Sequence, residues 1–334
     1  MELAILPDDC EREKWNEIVT SFGDHNFYQS WEWGEAKRVQ GWTPLRMVCI
    51  LNGDIIGAAQ GFKKSLLPRG WGVLWIPGGP LVLKDGENLS AIGNLESILR
   101  TLQRRFSKEE GLIIRCAPYL FSTSMAEEIL CKLGFQKLRS IAFVHTFLVD
   151  ITDSMEILRM RLRKKWRYTL KQFEASHVKI QFTNSSEAIL CFYRILKETE
   201  KIKKFHLSVT LEQLKILSEF SDTVRLLVAY NNERPVGGLI VTCIGKRGLE
   251  LFAGATSEGY NLNVSYGLIW ESIRWLKGVG AEVYDLGGVD PVGGKGVYTF
   301  KAGLRGNLVK FLGQWEHSPN WMMTIGLRLL EKLR

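Results

Sequence analysis

Apolar and polar residues alternate along LRMVCILNGDIIGAAQGF (45–62), a pattern that predicts two strands joined by a turn at Asn52-Gly53-Asp54. WGVLWIPGGPLV (71–82) reads as a further strand closed by Pro and paired glycines. LESILRTLQRRF (95–106) has helical spacing, and GLIIRCAP (111–118) reads as a strand ending in Pro. The same order returns later in the chain. VRLLVAYNNERPVGGLIVTCI (224–244) is a second hairpin, GLELFAGA (248–255) a strand, YGLIWESIRWLKGVG (266–280) a helix and AEVYDLGGVDP (281–291) a strand. In that helix Leu268, Ile269, Ile273 and Leu276 fall on one face before a closing glycine. Gly57 answers Gly237 and Pro118 answers Pro291, so the period is about 175 residues, too long for a solenoid. Two similar domains in tandem are expected, with a functional groove between them.

The segments between these blocks complete the plan. CEREKWNEIVTSF (10–22) is a helix, and the stretch after it, to about residue 42, reads as a turn carrying Trp31 and Trp33 beside Lys37 and Arg38. SMAEEILCKLGF and HTFLVDIT are a helix and a strand that close the first domain near residue 149. From Asp153 or Ser154, either able to cap it, one long helix is expected with Leu158, Leu162, Trp166 and Leu170 on one face. Its other residues include Arg159, Arg161, Arg163, Lys164, Lys165, Arg167 and Lys171, nearly all of one sign. That crowding is self-repelling unless an anion visits, though a solvated surface face accounts for it equally well. SEAILCFYRILKETEKI and LEQLKILSEF are amphipathic helices. The second domain spans 150–313. The tail 314–334 is basic and amphipathic; packing back on the first domain is preferred over lying on an anionic membrane.

Composition adds little to this until charge is considered. The 334 residues carry a net charge of +8, which suits polyanionic or phosphorylated partners as well as plain solubility. Six scattered Cys without a CxxC pair read as buried free thiols in a reducing cytosol. No apolar run has the length of a membrane span, and a cytoplasmic protein is expected. No carboxylate or His pair has metal-ligand spacing, no Ser/His/Asp triad is readable, and His25, His145, His177, His206 and His317 sit in unrelated contexts.

A hairpin followed by strand, helix and strand matches the core of the N-acetyltransferase (GNAT) fold, giving an α/β (α+β) class with two tandem GNAT-like domains. Ordinary members hold the coenzyme A pyrophosphate on a Gly-rich loop at the start of the central helix. The equivalent stretch, FAGATSEGYNLNVSYGLIWESI, lacks clustered glycines and carries Tyr260, Asn261 and Tyr266 instead. No cofactor is therefore expected.

The chain resembles the FemABX family, the aminoacyltransferases of bacterial cell-wall synthesis, in a compact form without the coiled-coil arm. The resemblance rests on QSWEWGEAKRVQGW, WIPGGPLV, KKWRYTLKQFE, FAGATSEGYNLNVSYGLIWESIRWLKGVGAEVYDLGG and VYTFKAGLRGNLVKFLGQWE, and covers nearly the whole chain. It implies transfer of an amino acid from aminoacyl-tRNA to an amine of a lipid-linked or UDP-linked muropeptide precursor, with contact at the inner face of the membrane. Lys301 in VYTFKAGLRG matches the family's catalytic-site lysine, beside Phe300; Asp285 could orient an amine or cap its turn. Lys37 matches a lysine on the substrate's phosphates, with Arg38 and Trp33 next to it. Tyr260, Asn263 and Tyr266 are further substrate-binding candidates, and Arg163, Lys164, Lys165, Arg167 and Lys171 are candidates for tRNA. Three departures stand out: Ala117 where an acid is usual, Phe252 where a Tyr is usual, and KFHLSVTLEQL without the Arg and Tyr of members that use the UDP-linked precursor. Two alternatives remain: an acyl-CoA-dependent N-acyltransferase, and a non-catalytic RNA- or membrane-binding relative.

Overall fold

The computed structural model describes residues 1–65, 71–84, 90–140, 142, 144–203 and 207–332. The chain divides into two compact units, Met1–Val144 with Lys310–Arg334, and His145–Val309.

The first unit runs β1 (Glu2–Ile5), α1 (Arg12–Thr20), α2 (Trp31–Arg38), β2 (Thr43–Leu51), β3 (Asp54–Ser65), β4 (Gly72–Gly78), α3 (Ser90–Leu102), β5 (Ile113–Pro118), α4 (Ser124–Lys132) and β6 (Gln136–Lys137). The stretch read as a turn before residue 40 contains a helix, α2. Ser30 caps it by accepting from Trp33 N, and Lys37 and Arg38 fall in its last turn, where cations favour a helix C-terminus. The β2–β3 hairpin turns through Asn52 and Gly53, both at positive φ. Leu95, Ile98, Leu99 and Leu102 of α3 are buried at helical spacing against the sheet.

The second unit runs β7 (His145–Asp150), α5 (Met155–Arg161), α6 (Lys164–Glu174), β8 (Lys179–Phe182), α7 (Ser186–Lys203), α8 (Leu211–Glu219), β9 (Val224–Asn231), β10 (Arg234–Ile244), β11 (Arg247–Ala255), α9 (Ser257–Asn261), α10 (Val264–Gly278), β12 (Val283–Gly288), α11 (Lys295–Ala302) and β13 (Asn307–Lys310). The chain then re-enters the first unit as β14 (Trp315–His317) and α12 (Trp321–Lys332). Met323 and Leu327 of α12 pack on Val73 and Ile113, with Trp42 and Trp71 alongside.

Each unit holds a seven-stranded sheet, in the order β1-β2-β3-β4-β5-β14-β6 and β13-β7-β12-β11-β10-β9-β8. Strand for strand, β2–β5 correspond to β9–β12: two antiparallel steps, then one parallel pair with a helix crossing between, α3 in one unit and α10 in the other. The strand on the far side of β5 is β14, from the end of the chain, whereas the strand beside β12 is β7.

Two expectations change. The strand His145–Asp150, expected to close the first domain, pairs antiparallel with β12 in the second sheet, because β12 needs a neighbour on its open edge. The single basic helix is two helices. Leu162 and Arg163 are extended (ψ 143 and 145), and Arg163 N donates to Gly303 O at 2.9 Å. Leu158, Leu162, Trp166 and Leu170 are nevertheless all buried in one core. Of the thiols, Cys49, Cys116 and Cys243 are buried; burial pushes Cys49 up to about 12 and Cys243 up to about 11, so they stay protonated. His206 lies outside the described residues, as does the start of KFHLSVTLEQL.

Candidate active site

The two sheets differ at their parallel pairs. In the first unit β4 and β5 pair over six successive positions, from Val73 with Ile113 to Gly78 with Pro118. In the second, β11 and β12 pair over three, Arg247–Leu249 with Val283–Asp285, and then part. β12 also slips its register against β7 between Asp285 and Gly288. The next residues of the parted strands, Glu250 on β11 and Leu286 to Gly288 on β12, are bridged by one side chain, Lys301.

Lys301 is the penultimate residue of α11 and is only 6% exposed. Its Nζ donates to Leu286 O, lies 3.5 Å from Gly288 O, and forms an ion pair with Glu250 Oε1 at 3.1 Å. It is therefore not a surface loop lysine. Glu250 Oε2 is buried and has no hydrogen-bond partner among the described residues. Gly287 takes φ +71, and a Cβ there would come within 2.9 Å of Glu250 O, so the turn carrying these carbonyls requires glycine.

Asp285 caps that turn. Its Oδ1 accepts from Thr146 Oγ1 at 2.5 Å and from Gly287 N at 2.8 Å, and it is buried. Of its two sequence readings, turn-capping is the work these bonds perform. Tyr284, fully buried next to it, has its phenol pushed well up by burial and by the charge of Glu250, against a favourable contact from Ser272.

Phe300 packs with Tyr266 at a centroid distance of 4.9 Å and with Trp166 at 6.1 Å; Trp166 and Tyr266 are 4.9 Å apart. This trio ties α6, α10 and α11 together next to Lys301, and burial raises the Tyr266 phenol. Trp166 also lies against Gly303, where a Cβ would collide with the indole. Lys203 Nζ lies 4.9 Å from the centre of the Tyr260 ring, and Asn263 supplies the left-handed residue (φ 59) from which α10 starts.

Of the seven cations around α5 and α6, two are neutralised: Arg159 by a fork to Glu174 (2.7 and 2.5 Å), and Arg161 by Asp153 (2.5 Å). Arg163, Lys164, Lys165, Arg167 and Lys171 are exposed and have no carboxylate within 4.0 Å among the described residues. Arg167 donates to Met160 O at 2.9 Å.

In the first unit, Lys37 Nζ donates to Gln40 Oε1 (2.8 Å) and sits 4.7 Å from the centre of the Trp33 ring. Lys64 Nζ donates to Gln40 O (3.2 Å) and sits 5.2 Å from the Trp42 ring. Burial, and then the charge of Lys64, pull the Lys37 ammonium down to about 8. Trp33 is buried against Phe27 and Tyr28, so it offers Lys37 a ring face. Arg38 is turned away to Glu35 (2.9 Å) and Asp8 (3.0 Å). Lys64 and Glu250 escape sequence reading; the signal for Glu250 is an acid inside the apolar strand GLELFAGA. Among the described residues no group of three or more His, Cys, Asp and Glu side chains is placed to hold a metal ion.

Residues 160–302 match the model of an acetyltransferase (GNAT) domain. None of the curated proteins compared with the chain matches it. Among solved structures, FemX is similar over 95% of this chain and 97% of its own, at 15% identity and a TM-score of 0.78. A tandem GNAT protein from the clavulanic acid biosynthesis pathway is similar over 96% and 98%, at 11% identity and 0.57. The C-terminal domain of a putative lysylphosphatidylglycerol synthetase from Agrobacterium fabrum is similar over 96% and 94%, at 11% and 0.56. The chain has the tandem GNAT fold.

Proposed function

We propose that this protein transfers an amino acid from aminoacyl-tRNA to an amine of a peptidoglycan precursor, with Lys301 as the cation of the reaction. The observation that carries this reading is the ammonium of Lys301, fixed where β11 and β12 part. In the transfer a neutral amine attacks the ester carbonyl, the C–N bond forms, and negative charge builds on the carbonyl oxygen. The C–O bond to the ribose then breaks, and the ribose oxygen leaves with the proton given up by the amine. A preorganised cation in a water-poor site stabilises that charge far better than one in bulk solvent.

Other features support the same reading. The five unneutralised cations beside Trp166 form a surface for tRNA phosphates. Lys37 and Lys64, two cations around one glutamine, suit the diphosphate of the acceptor. Outward on α12, Trp321, Met322 and Ile325 are 71%, 49% and 50% exposed beside exposed Arg328, which favours a lipid-linked acceptor met at the inner membrane face. No described helix is long and apolar enough to cross a membrane.

Labelled aminoacyl-tRNA, offered as a full set with lipid-linked and UDP-linked precursors, tests the proposal. Transfer to either acceptor, lost in Lys301→Ala, supports it; no transfer to both overturns it. One observation favours a second reading: parted parallel strands also offer room for an acyl thioester. That reading requires saturable coenzyme A binding in calorimetry, and the first requires none.

A further inference from the structure

The geometry points to Glu250 as a positioning residue that keeps Lys301 cationic and aimed from α11 across the parted strands. This rests on the function proposed above and adds a residue that no sequence motif marked.

A buried ammonium supported by carbonyl dipoles alone tends to lose its proton, because desolvation penalises the charged form. Lys301 is nearly inaccessible, and among the described residues its acceptors other than Glu250 are two carbonyl oxygens, Leu286 O and Gly288 O. The carboxylate 3.1 Å away supplies the compensating charge. The ionisable groups facing this point are Glu250 from β11 and Tyr284 and Asp285 from β12. Tyr284 stays a neutral phenol, and Asp285 spends Oδ1 on Thr146 of β7 and Gly287. His145, also on β7, acts on Asp290.

A purely structural salt bridge would be expected to satisfy both carboxylate oxygens, since a buried acceptor left unmade is costly. Glu250 leaves Oε2 bare and buried. The first unit closes the corresponding place by continuous strand pairing with no ion pair between β4 and β5, so the fold itself does not demand one. Charge has been placed where the repeat opens, and Glu250 fixes which proton state the lysine presents to the reaction.

The test compares wild type with Glu250→Gln and Glu250→Asp, measuring both transfer and the titration of Lys301. In Glu250→Gln the aminoacyl-transfer kcat is expected to fall relative to wild type as pH rises from about 6 to about 9, while KM for both substrates changes by less than about twofold. Glu250→Asp recovers part of the loss. Independently of turnover, NMR on protein labelled at lysine 13Cε follows the Lys301 signal, assigned by its absence in Lys301→Arg. Its midpoint should lie lower in Glu250→Gln than in wild type, because the carboxylate 3.1 Å away is gone. An unchanged Lys301 midpoint, or a pH profile identical to wild type in a folded variant, overturns the proposal. If Glu250→Gln does not fold, the same midpoint in Glu250→Asp decides. A lowered midpoint in a protein that never transfers an amino acid refutes the proposed function while leaving the coupling of Glu250 to Lys301 intact.

Discussion

Gly57 and Gly237 occupy the same point of the two repeats and do the same work. Each lies beside a register slip in its hairpin, Cys49/Ile50 in one and Pro235/Gly237 in the other. Each also clears a path for the crossing helix. A Cβ on Gly57 would run into Ile98 of α3, and one on Gly237 would come within 2.6 Å of Val264 of α10. The duplication is thus carried by packing as well as by strand order.

Replacing either glycine with Ala should therefore overpack its own unit. Backbone conformation is not the obstacle, because neither residue has a positive φ. A loss of about 1–3 kcal/mol is expected from each, read as a lower urea midpoint. Gly53→Ala offers a contrast: no atom lies within 4 Å, and the cost there comes from φ +91 alone.

Lys301 ties chemistry to folding. Lys301→Ala should lower kcat by about 10²–10³-fold, the range seen when one group that stabilises an oxyanion is removed. It should also destabilise by about 3–5 kcal/mol, because Glu250 is left buried without its cation. Combining Lys301→Met with Glu250→Gln should restore most of the stability and none of the activity. Thermal melting and single-turnover transfer on wild type, Lys301→Met, Glu250→Gln and the double variant measure both.

Much of this architecture is legible along the chain because hairpins, glycine turns and helix faces are local. The Asn52-Gly53 turn and the i, i+3, i+4 spacing of α10 need no distant partner. The helix break at Leu162 and Arg163 is hidden because Leu158, Leu162, Trp166 and Leu170 keep four-residue spacing straight through it. What extends the backbone there is a hydrogen bond to Gly303, 140 residues away in sequence. The partner of the His145–Asp150 strand and the pairing of Glu250 with Lys301 are likewise set by tertiary neighbours. Lys301 itself is visible in the sequence only through its motif; its burial is not.

Of the cations on α5 and α6, those that lack a carboxylate should contribute to RNA binding and the neutralised Arg159 should not. Lys164→Ala with Lys165→Ala should reduce the slope of log Kd against log salt by about 1 for each phosphate that is no longer neutralised. Arg159→Ala should leave the slope unchanged, since its charge is already spent on Glu174. Fluorescence anisotropy with labelled tRNA across a salt series distinguishes the two. Equal slopes for all three proteins would remove the basic helix from the binding surface.

Lys37 sets a pH window in the first unit. Its folded value of about 8 lies below the ordinary 10.5, so between these limits the unfolded chain binds more protons than the folded one. The stability cost of the charged, half-buried ammonium is therefore fully present below pH 8 and disappears as pH rises toward 10.5. Binding of a diphosphate runs the other way, because the anion needs the charged form. Affinity for a phosphate-bearing ligand should fall as pH rises through about 8 and should hold to higher pH in Lys37→Arg, whose guanidinium stays protonated. Calorimetric titration with pyrophosphate on either side of pH 8 checks the sign; an affinity that rises with pH would show that Lys37 is not an anion ligand.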